Sequence, residues 1–484
     1  MQPSAPRRGR AHARAAALSF AAAALCSALT AATAAAQTPL APERQLARDV
    51  YKELIEINTT DSAGGSTDAA NAVAARLRAA GFPAADVQVL VPAGNARRGN
   101  LVARLRGAPG STHKPILLLA HLDVVEARKE DWSADIDPFR LTEKDGFFYG
   151  RGTTDDKAMA AIWVANLIRF RKEGFVPDRD IVLALTADEE GGDFNGVKWL
   201  LQNHPDLVDV DFGLNEGGGG ELRQGKHVAN KVGTAEKVYL DFTLEVTNAG
   251  GHSSIPRPDN AIYHLARGLT RLADFSFEPQ TNETTRAYFE RMGTVEGGDT
   301  GQDMKAASRG DAAAMARLSA NPVFNALLRT TCVATLLSGG HAPNALPQRA
   351  SANVNCRMFP GVRAEDVQAT LVRVLADTAI RVNPVAPAKP SPPSPLRPDV
   401  IGTIERITSE IWPGTPAVPI MGTGATDGLY FRQRGIPIYG VDGLFEEIGD
   451  GHAHGRDERL SVPAFFEGQD FLYRLVKAYT TPRT

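Results

Sequence analysis

The sequence is poor in cysteine and has no large excess of either charge. Its 484 residues include 3 cysteines, and 53 Lys and Arg residues against 56 Asp and Glu residues give a formal net charge of −3. Such a chain has no global field that attracts nucleic acid or an anionic membrane surface, so no nucleic-acid partner is predicted. With 43% hydrophobic and 23% charged residues, the composition is typical of a globular protein of two or three domains.

The chain also lacks the glycine patterns of nucleotide-binding proteins. Neither GxxxxGK[ST] nor a strand-linked GxGxxG is present, although residues 217–220 are all glycine. Both patterns place backbone N–H groups around phosphates, so a nucleotide site is not predicted. The sequence shows no internal repeat.

The first 36 residues differ from the rest. Several arginines precede an alanine-rich apolar run at residues 15–33, and Ala34-Ala35-Ala36 fits an A-x-A cleavage site. Residues 1–36 are therefore predicted to be a cleaved export signal, which indicates a periplasmic or secreted protein with no stable membrane insertion after cleavage. The alternative is an uncleaved anchor, but alanine is only marginally apolar and the run is barely ~20 residues long.

Export leaves Cys332 and Cys356 in an oxidising compartment, where two cysteines can form a disulfide. Both lie in segments with strand-like sequence, joined through a turn that contains glycine and proline. If these strands pair about Asn344, the two cysteines fall opposite one another. Two buried free thiols are the alternative, and the sequence leaves both open.

Helix-like and strand-like segments alternate from residue 37 to about residue 231. Residues 115–120 are a continuous apolar run, as expected of a strand buried on both faces, and residues 180–186 are predicted to be another buried strand. Helical periodicity covers residues 158–172 between them. This alternation predicts an α/β fold with a mixed or parallel sheet.

The pattern changes near Val232. Residues 237–246 alternate polar and apolar, which is typical of a strand with one solvent-exposed face, and residues 234–383 are predicted to be a small α/β insert with an antiparallel sheet. Residues 384–398 contain seven prolines and are predicted to be an extended connector. The main domain is then predicted to comprise residues 37–233 and 399–484.

Acidic and imidazole side chains follow three successive predicted strands. His121 and Asp123 end the first strand and share one face of it, so the carboxylate can fix the imidazole tautomer and leave the other nitrogen for a metal. Glu189 and Glu190 follow the second strand, and Glu216 follows the third. Each feature alone is common on protein surfaces. Their joint presence at carboxyl ends of strands, where open α/β sheets bind ligands, predicts a functional site.

Two further segments can complete such a site. Asp155 and Asp156 lie in a glycine-flanked polar turn, residues 150–157, at the start of a predicted helix, where both capping and ligand binding occur. His452 and His454 precede the last predicted helix. Together with the strand-end residues they make an oxygen- and nitrogen-rich set suited to zinc. The negative charge of three carboxylates nearly balances the positive charge of two divalent ions. Two such ions can share a bridging water molecule.

Six motifs follow one another in the order found in a single family: HLDVV, GRGTTDDK, ADEEGG, LNEGGG, AGGHSSIP and HGRDER. From about residue 43 to its C-terminus, the chain resembles the two-zinc exopeptidases and amidohydrolases that include carnosine dipeptidase, aminoacylase, acetylornithine deacetylase and vacuolar carboxypeptidase S. The resemblance implies a zinc-exopeptidase-like catalytic domain with helices on both faces of its sheet. It also implies that the insert is a lid domain of dimerisation type.

The resemblance implies two Zn²⁺ per subunit, with Co²⁺ or Mn²⁺ as alternatives. The metal ligands it implies are His121, Asp155, Glu190, Glu216 and His454. Asp155 would bridge both ions and be followed by a cis peptide bond, whereas Asp156 and His452 would not be ligands. Asp123 would orient His121, and Glu189 would be the general base toward a metal-bridging hydroxide.

The resemblance also implies residues on the substrate side. His252 matches a lid-domain histidine that stabilises the oxyanion, often from the partner subunit of a homodimer formed through the lid. Arg357 matches a residue that holds a substrate carboxylate, for which a forked guanidinium is suited. Asn344, Thr423 and Gly424 would line the same side. Residues 275–329 exceed a minimal lid domain and could cover the dimer surface, which leaves open whether His252 acts in trans.

The implied function is that of an exported zinc metallopeptidase of carboxypeptidase or dipeptidase type, which cleaves a peptide or amide bond next to a free carboxylate. An N-acyl-amino-acid amidohydrolase or deacetylase with the same dinuclear centre is the alternative, because the two differ only in the substrate pocket. A non-catalytic periplasmic binding protein is a more distant alternative. It requires a missing ligand or base, and none is missing from this sequence.

Overall fold

The computed structural model describes residues 39–482. The predicted export signal, residues 1–36, lies outside the described residues. All elements given below belong to the unit that runs from Ala41 to the C-terminus. No helix within residues 39–482 combines the length and the apolar character needed to cross a bilayer.

Thirteen α-helices and nineteen strands lie within this described range. The helices are α1 Pro42–Glu56, α2 Ser66–Ala79, α3 Lys157–Lys172, α4 Gly196–Asn203, α5 Ala261–Ala273, α6 Glu283–Glu296, α7 Gly298–Ser308, α8 Ala312–Leu318, α9 Pro322–Leu328, α10 Ala364–Leu375, α11 Pro398–Ile411, α12 Gly428–Arg432 and α13 Val462–Tyr479. The strands are β1 Val87–Leu90, β2 Asn100–Leu105, β3 Ile116–His121, β4 Thr142–Lys144, β5 Phe147–Tyr149, β6 Ile181–Thr186, β7 Phe212–Asn215, β8 Gly219–Arg223, β9 Lys226–Glu236, β10 Val238–Thr247, β11 Gly251–His252, β12 Thr331–Gly339, β13 Ala345–Leu346, β14 Arg349–Met358, β15 Arg381–Pro384, β16 Ala417–Gly422, β17 Ile438–Gly440, β18 Phe445–Glu447 and β19 Arg459–Ser461.

Ten strands form one large mixed sheet, in the order β1-β2-β6-β3-β7-β17-β9-β8-β18 with β16 paired to β9. Strands β6, β3, β7 and β17 run parallel to one another. Strand β2 is antiparallel to β6, and β9 is antiparallel to β17. The predicted mixed α/β sheet is therefore confirmed, and its parallel strands bring the residues that follow them to one edge.

Helices cover both faces of the large sheet. Along β3, Ile116 and Leu118 pack with α1, α3 and α13 in one hydrophobic cluster, whereas Leu117 and Leu119 pack with α4 and α12 in another. This alternation follows from the two-residue repeat of a strand. It explains why β3 is apolar from Ile116 to Ala120, since neither face meets water.

A separate four-stranded antiparallel sheet has the order β12-β14-β10-β15 and packs against α5 and α10. Its register sets Cys332 opposite Cys356, and a disulfide joins the two residues, which is the first of the two alternatives for this pair. A separate antiparallel sheet is consistent with a lid domain. The exact division of the chain into domains stays a prediction. Strand β9 of the large sheet crosses the predicted boundary between the main domain and the insert, at residue 233.

The segment between α5 and β12 forms the helices α6 to α9. They pack against β9 and β16 of the large sheet, where Phe289 and Met304 share a hydrophobic cluster with Val418. The lid edge strand β12 remains uncovered, because Leu336 and Leu337 are 71% and 72% exposed. The helices of this segment therefore pack against the large sheet and leave the edge strand β12 exposed.

A small three-stranded sheet, β19-β5-β4, was not evident from the sequence. It pairs Arg459 with Tyr149, and next to it the Gly150 N–H donates to the Glu458 carbonyl at 3.1 Å. This pairing places the C-terminal motif, residues 454–459, beside the polar turn at residues 150–157.

Candidate metal centre

The parallel strands bring four of the predicted residues to one edge of the large sheet. His121 is the last residue of β3, Glu189 and Glu190 follow β6, and Glu216 directly follows β7. Donor atoms of His121, Glu189 and Glu216 all lie within 4.8 Å of one another. The same holds for donor atoms of His121, Asp155 and Glu190.

Asp155 lies between two histidines. Its Oδ1 is 2.9 Å from Nε2 of His121, and its Oδ2 is 3.1 Å from Nε2 of His454. His121 Nε2 is also 3.9 Å from Oε1 of Glu216, and His454 Nε2 is 3.0 Å from Oε2 of Glu190. The Asp155 carboxylate thus lies between two pairs of donors. One pair is His121 and Glu216, and the other is His454 and Glu190. The peptide bond after Asp155 is cis, as the resemblance implies.

These residues fit divalent metal ions. Two donors bound to one tetrahedral zinc ion lie roughly 3.3–3.5 Å apart, which is close to the separations of 2.9–3.9 Å between the two histidines and their neighbouring carboxylates. In addition, Oε1 of Glu190 is buried without a hydrogen-bond partner among residues 39–482, although buried carboxylate oxygens normally have one. A donor set of imidazoles and carboxylates suits zinc, and also cobalt or manganese.

Burial and crowding shift the pKa values of these carboxyl groups. Burial raises the pKa of Glu216 well above its ordinary value, and the nearby Asp155 and Glu189 raise it further against the opposing charge of His121. Burial and the Asp155 charge raise the pKa of Glu190 to about 7. Burial also acts to raise the pKa of Asp155, but its hydrogen bonds with His121 and His454 outweigh burial and hold that pKa below its usual range.

Glu189 adjoins the cluster, and its carboxylate has no hydrogen bond with another side chain or backbone group of the described chain. Burial raises its pKa well above the ordinary value, and the Asp427 and Asp123 charges add to the effect. A carboxyl group in such surroundings can hold and release a proton, as a general base must. Glu189 is also close enough to His121 and Glu216 to be a ligand, so the geometry permits both roles.

Asp123 positions the loop that follows β6. Its Oδ1 and Oδ2 accept hydrogen bonds from the backbone N–H groups of Glu189 and Glu190 at 3.1 and 3.0 Å. His121 Nδ1 lies 2.9 Å from the Asp123 carbonyl oxygen and 3.7 Å from its carboxylate. The structure thus orients His121 through the carbonyl of Asp123, which leaves Nε2 to face the cluster.

Glu458 was missed as a site residue by sequence reasoning. It is fully buried, and its carboxylate accepts hydrogen bonds from the backbone N–H groups of Gly152, Thr154 and Asp155 at 3.0, 2.8 and 3.2 Å. The guanidinium of Arg151 pairs with it at 2.6 Å. Glu458 therefore holds the turn that carries Asp155. Its place within the motif HGRDER was the only available signal.

Gly152 allows this turn to close around the Glu458 carboxylate. Its φ is +87°, a conformation that side chains other than that of glycine rarely tolerate. A Cβ at this position would also lie 2.9 Å from Cγ1 of Val124. The glycine in the predicted turn is thus required by both backbone conformation and space.

The predicted substrate residues of β14 and of the loop after β16 lie together. Arg357 donates to the Thr423 carbonyl at 3.3 Å, and its guanidinium carbon lies 4.6 Å from the centre of the Tyr239 ring. Gly424 follows in the same loop. Asp427 anchors that loop near the cluster by accepting a hydrogen bond from the Asn195 side chain at 2.5 Å.

His252 and Asn344, two further predicted substrate residues, lie together at the two-stranded antiparallel sheet of β11 and β13. Strand β11 pairs His252 with Ala345, and the Ser253 N–H donates to the Asn344 carbonyl at 3.0 Å. His252 is exposed, and its Nδ1 lies 2.7 Å from the Ser254 hydroxyl. Within residues 39–482 of one chain, neither His252 nor Asn344 has a hydrogen bond with the metal cluster.

Comparison with known proteins assigns a family. The sequence pattern of peptidase family M20/M25/M40 matches residues 117–478, and the chain belongs to this family. It is similar to probable carboxypeptidase S-like 2 of Dictyostelium discoideum, with 29% identity over 378 residues that span 75% of this chain and 71% of that protein. It is also similar to human N-fatty-acyl-amino acid synthase/hydrolase PM20D1, with 27% identity over 383 residues that span 75% of this chain and 74% of that protein.

The fold is similar to the crystal structure of an M20 family metallo-carboxypeptidase, Sso-CP2 from Sulfolobus solfataricus. The TM-score is 0.67 at 16% sequence identity, and the match covers 91% of this chain and 99% of that one. The fold class predicted from the sequence, and the resemblance on which it depends, are confirmed. The protein is a metal-dependent hydrolase of the metallopeptidase class.

Proposed function

We propose that the protein is an exported zinc-dependent hydrolase of carboxypeptidase or dipeptidase type, which cleaves a peptide or amide bond next to a free carboxylate. The observation that carries the proposal is the position of Asp155, whose two carboxylate oxygens lie 2.9 and 3.1 Å from the imidazoles of His121 and His454. When bound, two zinc ions lower the pKa of water and polarise a carbonyl group.

The proposed ligands would divide between two metal positions, with Asp155 facing both. His121 and Glu216 would complete one position, and Glu190 and His454 would complete the other. This division is supported by two distances, 3.9 Å between His121 and Glu216 and 3.0 Å between His454 and Glu190.

Glu189 is the general base in this proposal, since its carboxylate lies beside the ligands without a hydrogen-bond partner of its own in the described chain. It takes a proton from water and transfers it to the leaving amine. Asp123 holds the base in place through the backbone N–H of Glu189 at 3.1 Å.

Arg357 holds the carboxylate of the substrate. Its guanidinium donates to the Thr423 carbonyl and to the Asn355 side chain at 3.3 and 3.4 Å. It has no ion-pair partner within 4.0 Å among residues 39–482, so its charge is available to a ligand. A forked guanidinium matches a carboxylate in shape and charge. Thr423, Gly424 and Asn344 would line the same side.

Two copies of the chain pair through the lid sheet. The edge strand β12 exposes Val333, Leu336 and Leu337 by 60%, 71% and 72%, and an apolar edge strand pairs readily with a second chain. Such a homodimer would offer His252 to the partner's metal centre as the oxyanion donor. Light scattering should give the dimer mass for the wild type and the monomer mass for Leu336→Lys; a monomeric wild type would contradict the pairing.

N-acyl-amino-acid hydrolysis is the second candidate, because the same cluster can act on any amide bond next to a carboxylate. It is supported by a cavity of about 650 Å³ that Thr154, the neighbour of Asp155 in the sequence, lines together with the apolar side chains of Met292, Met304 and Phe324. It is also supported by the similarity to a human protein named as an N-fatty-acyl-amino acid synthase/hydrolase.

The test is a substrate profile of purified protein whose metal content is measured in the same samples. We expect two metal equivalents per chain, mostly zinc, and hydrolysis of dipeptides, C-terminally free peptides or N-acyl amino acids. Amidation of the substrate carboxylate should abolish turnover. Fewer than two metal equivalents in active protein, or equal turnover of amidated substrates, would contradict the proposal.

A further inference from the structure

Lys237 is the single residue between β9 of the large sheet and β10 of the antiparallel sheet. It is 1% exposed, and its Nζ donates a hydrogen bond to the Thr331 hydroxyl at 3.2 Å. Among residues 39–482, no carboxylate oxygen lies within 4.0 Å of this Nζ. The preceding Glu236 is already paired with Arg432. Lys237 is thus a buried cation whose partner is a neutral hydroxyl group.

Lys237 lies on the same face of the antiparallel sheet as Arg357. The cross-strand neighbours of Arg357 are Thr331 and Tyr239, and such neighbours share one face of a sheet. Lys237 precedes Tyr239 by two positions and contacts Thr331, so its side chain lies on this face as well. Burial and the charge of Arg357 lower the pKa of Lys237 to about 8. The two cations are therefore close enough to repel each other.

The carboxylate of Asp241 lies on the same face, but neutral groups hold it. It accepts hydrogen bonds from the Tyr239 hydroxyl at 2.5 Å and from the side-chain amides of Asn353 and Asn355 at 3.0 and 2.9 Å. It lies more than 4.0 Å from both cations. Neither cation therefore has a carboxylate partner in the part of the chain that the structure describes.

A buried cation without an anionic partner destabilises a fold. The transfer of an ammonium group out of water is unfavourable, and a neutral hydroxyl group compensates for only part of that loss. Proteins depart from such rules mainly at functional sites. An anionic ligand bound at Arg357 would be attracted by the charge of Lys237 as well. The unpaired lysine therefore indicates a ligand that supplies the missing negative charge.

The segment after β16, residues 423–427, connects these cations with the proposed metal centre. At its start, the Thr423 carbonyl accepts a hydrogen bond from Arg357 at 3.3 Å. At its end, Asp427 accepts a hydrogen bond from the hydroxyl of Thr186 at 3.4 Å. Thr186 is the last residue of β6, the strand that leads to the proposed base. One short segment thus contacts both the cationic face and the edge of the sheet where the proposed ligands lie.

We propose that Lys237 is a specificity-determining residue whose buried positive charge strengthens the binding of the substrate carboxylate at Arg357. This inference rests on the proposed function, which places the substrate carboxylate at Arg357. Lys237 does not contact the substrate and acts through its electric field. Water and salt screen a buried charge less than an exposed one. Lys237 therefore favours substrates with a free carboxylate over neutral ones.

The test compares an anionic and a neutral ligand on the metal-loaded protein. N-(methylsulfonyl)glycine carries a carboxylate and has no amide bond, and N-(2-hydroxyethyl)methanesulfonamide has a neutral hydroxymethyl group in place of that carboxylate. Lys237→Met removes the charge and keeps a long unbranched side chain. Calorimetry should show a roughly tenfold higher Kd of the anionic ligand in Lys237→Met than in the wild type. The Kd of the neutral ligand should be unchanged.

The matched control is Lys226→Met, which makes the same change at an exposed position of β9 and should alter neither Kd. Denaturant titration tests for a structural role. The unfolding free energy of Lys237→Met should equal or exceed that of the wild type, because an apolar group replaces an unpaired buried charge. Lower stability of this variant together with an unchanged Kd of the anionic ligand would show a structural role and overturn the inference.

The pH dependence of binding separates the charge of Lys237 from its shape. The groups that face its side chain are Arg357 from β14, which stays charged, and Thr331 from β12, which is neutral. With a pKa of about 8, the ammonium group loses its proton between about pH 7 and about pH 9. The advantage of the wild type over Lys237→Met in binding the anionic ligand should therefore shrink over this range. An advantage that does not change with pH would contradict the inference.

Kinetic measurements distinguish this inference from the proposed function. If the preference for the anionic ligand depends on Lys237 but neither dipeptides nor N-acyl amino acids are hydrolysed, the proposed function fails and the role of Lys237 stands. If hydrolysis is found, Lys237→Met should raise KM roughly tenfold and leave kcat unchanged. A lower kcat at an unchanged KM would overturn the inference and leave the proposed function standing.

Discussion

The carboxylate of Glu458 accepts a hydrogen bond from the backbone N–H of Asp155 at 3.2 Å, across 303 positions of the chain. Asp155 in turn lies within 3.1 Å of the imidazole of His454. The C-terminal motif therefore contacts the proposed bridging residue twice, once through the proposed ligand His454 and once through the buried carboxylate of Glu458. We therefore expect the proposed metal centre to depend on this long-range contact as well as on its proposed ligands.

Replacement of Glu458 by glutamine should weaken both folding and metal binding. The amide has one acceptor oxygen and leaves the buried Arg151 guanidinium without a counter-charge. Loss of one partner of a buried pair costs about 3–5 kcal/mol of unfolding free energy, and loss of support around metal ligands costs about 10–100-fold in affinity. Denaturant titration and metal titration measure the two effects. Glu410→Gln, at an exposed position of α11, should change neither.

Glu189→Gln should retain both metals and lose turnover by about 10²–10⁴-fold, because the amide cannot accept the proton that the reaction releases. Metal analysis and kcat are measured on the same preparation, with Glu410→Gln as the control. Loss of one metal equivalent in Glu189→Gln would instead place Glu189 among the ligands, which is the other role that the geometry permits.

Removal of the metals by a chelator should abolish hydrolysis and lower the Tm. Ions that bind the folded chain stabilise it by about 4 kcal/mol at a free concentration one thousand times the Kd. Added zinc should restore both activity and Tm. An unchanged Tm after verified loss of both metals would show that the carboxylate cluster does not need them for stability.

Replacement of both Cys332 and Cys356 by serine should destabilise the lid sheet. The disulfide links residues separated by 24 positions, and the chain-entropy relation assigns a loop of this size about 3.4 kcal/mol of unfolding free energy. Denaturant titration with and without reductant provides the check. Reductant should destabilise the wild type and leave the double variant unchanged; the opposite pattern would contradict a stabilising disulfide.

His264 should make the lid domain more stable at acid pH than at alkaline pH. Its ring nitrogens lie 2.6 Å from Asp377 and 3.0 Å from Asp259, and the hydrogen bond with Asp377 raises the pKa of His264 above its ordinary value. A raised histidine pKa contributes stability below the unfolded-state value of about 6.5, and this contribution is lost as the pH rises through the folded-state value.

The variant His264→Gln should therefore lose more unfolding free energy at about pH 5.5 than at about pH 9. His113→Gln, at an exposed position, is the control and should show no such difference. Equal destabilisation of His264→Gln at both pH values would indicate a role that does not depend on charge.

The long elements were predictable because their signals are local. The buried strands predicted at residues 115–120 and 180–186 correspond to β3 Ile116–His121 and β6 Ile181–Thr186, since strands buried on both faces are recognisable by their predominantly apolar sequence. The position of Cys332 opposite Cys356 followed from the sequence on the condition that the two strands pair about Asn344, and β12 and β14 pair in this way at the cysteines, although their register shifts between Ala334 and Leu336. The sheet β19-β5-β4 was not, since three-residue strands carry almost no periodic pattern.

The sequence by itself determined which side chains lie at the strand ends and that their donor atoms suit a divalent metal. Both features can be recognised from a few consecutive residues. Only the tertiary structure decided that Asp155 lies between His121 and His454, that Glu458 supports it, and that α6 to α9 pack against β9 and β16 of the large sheet. These relationships join residues far apart in the chain. They form only when the whole sheet has folded, since the entropy of closing such long loops is offset by burial across the entire core.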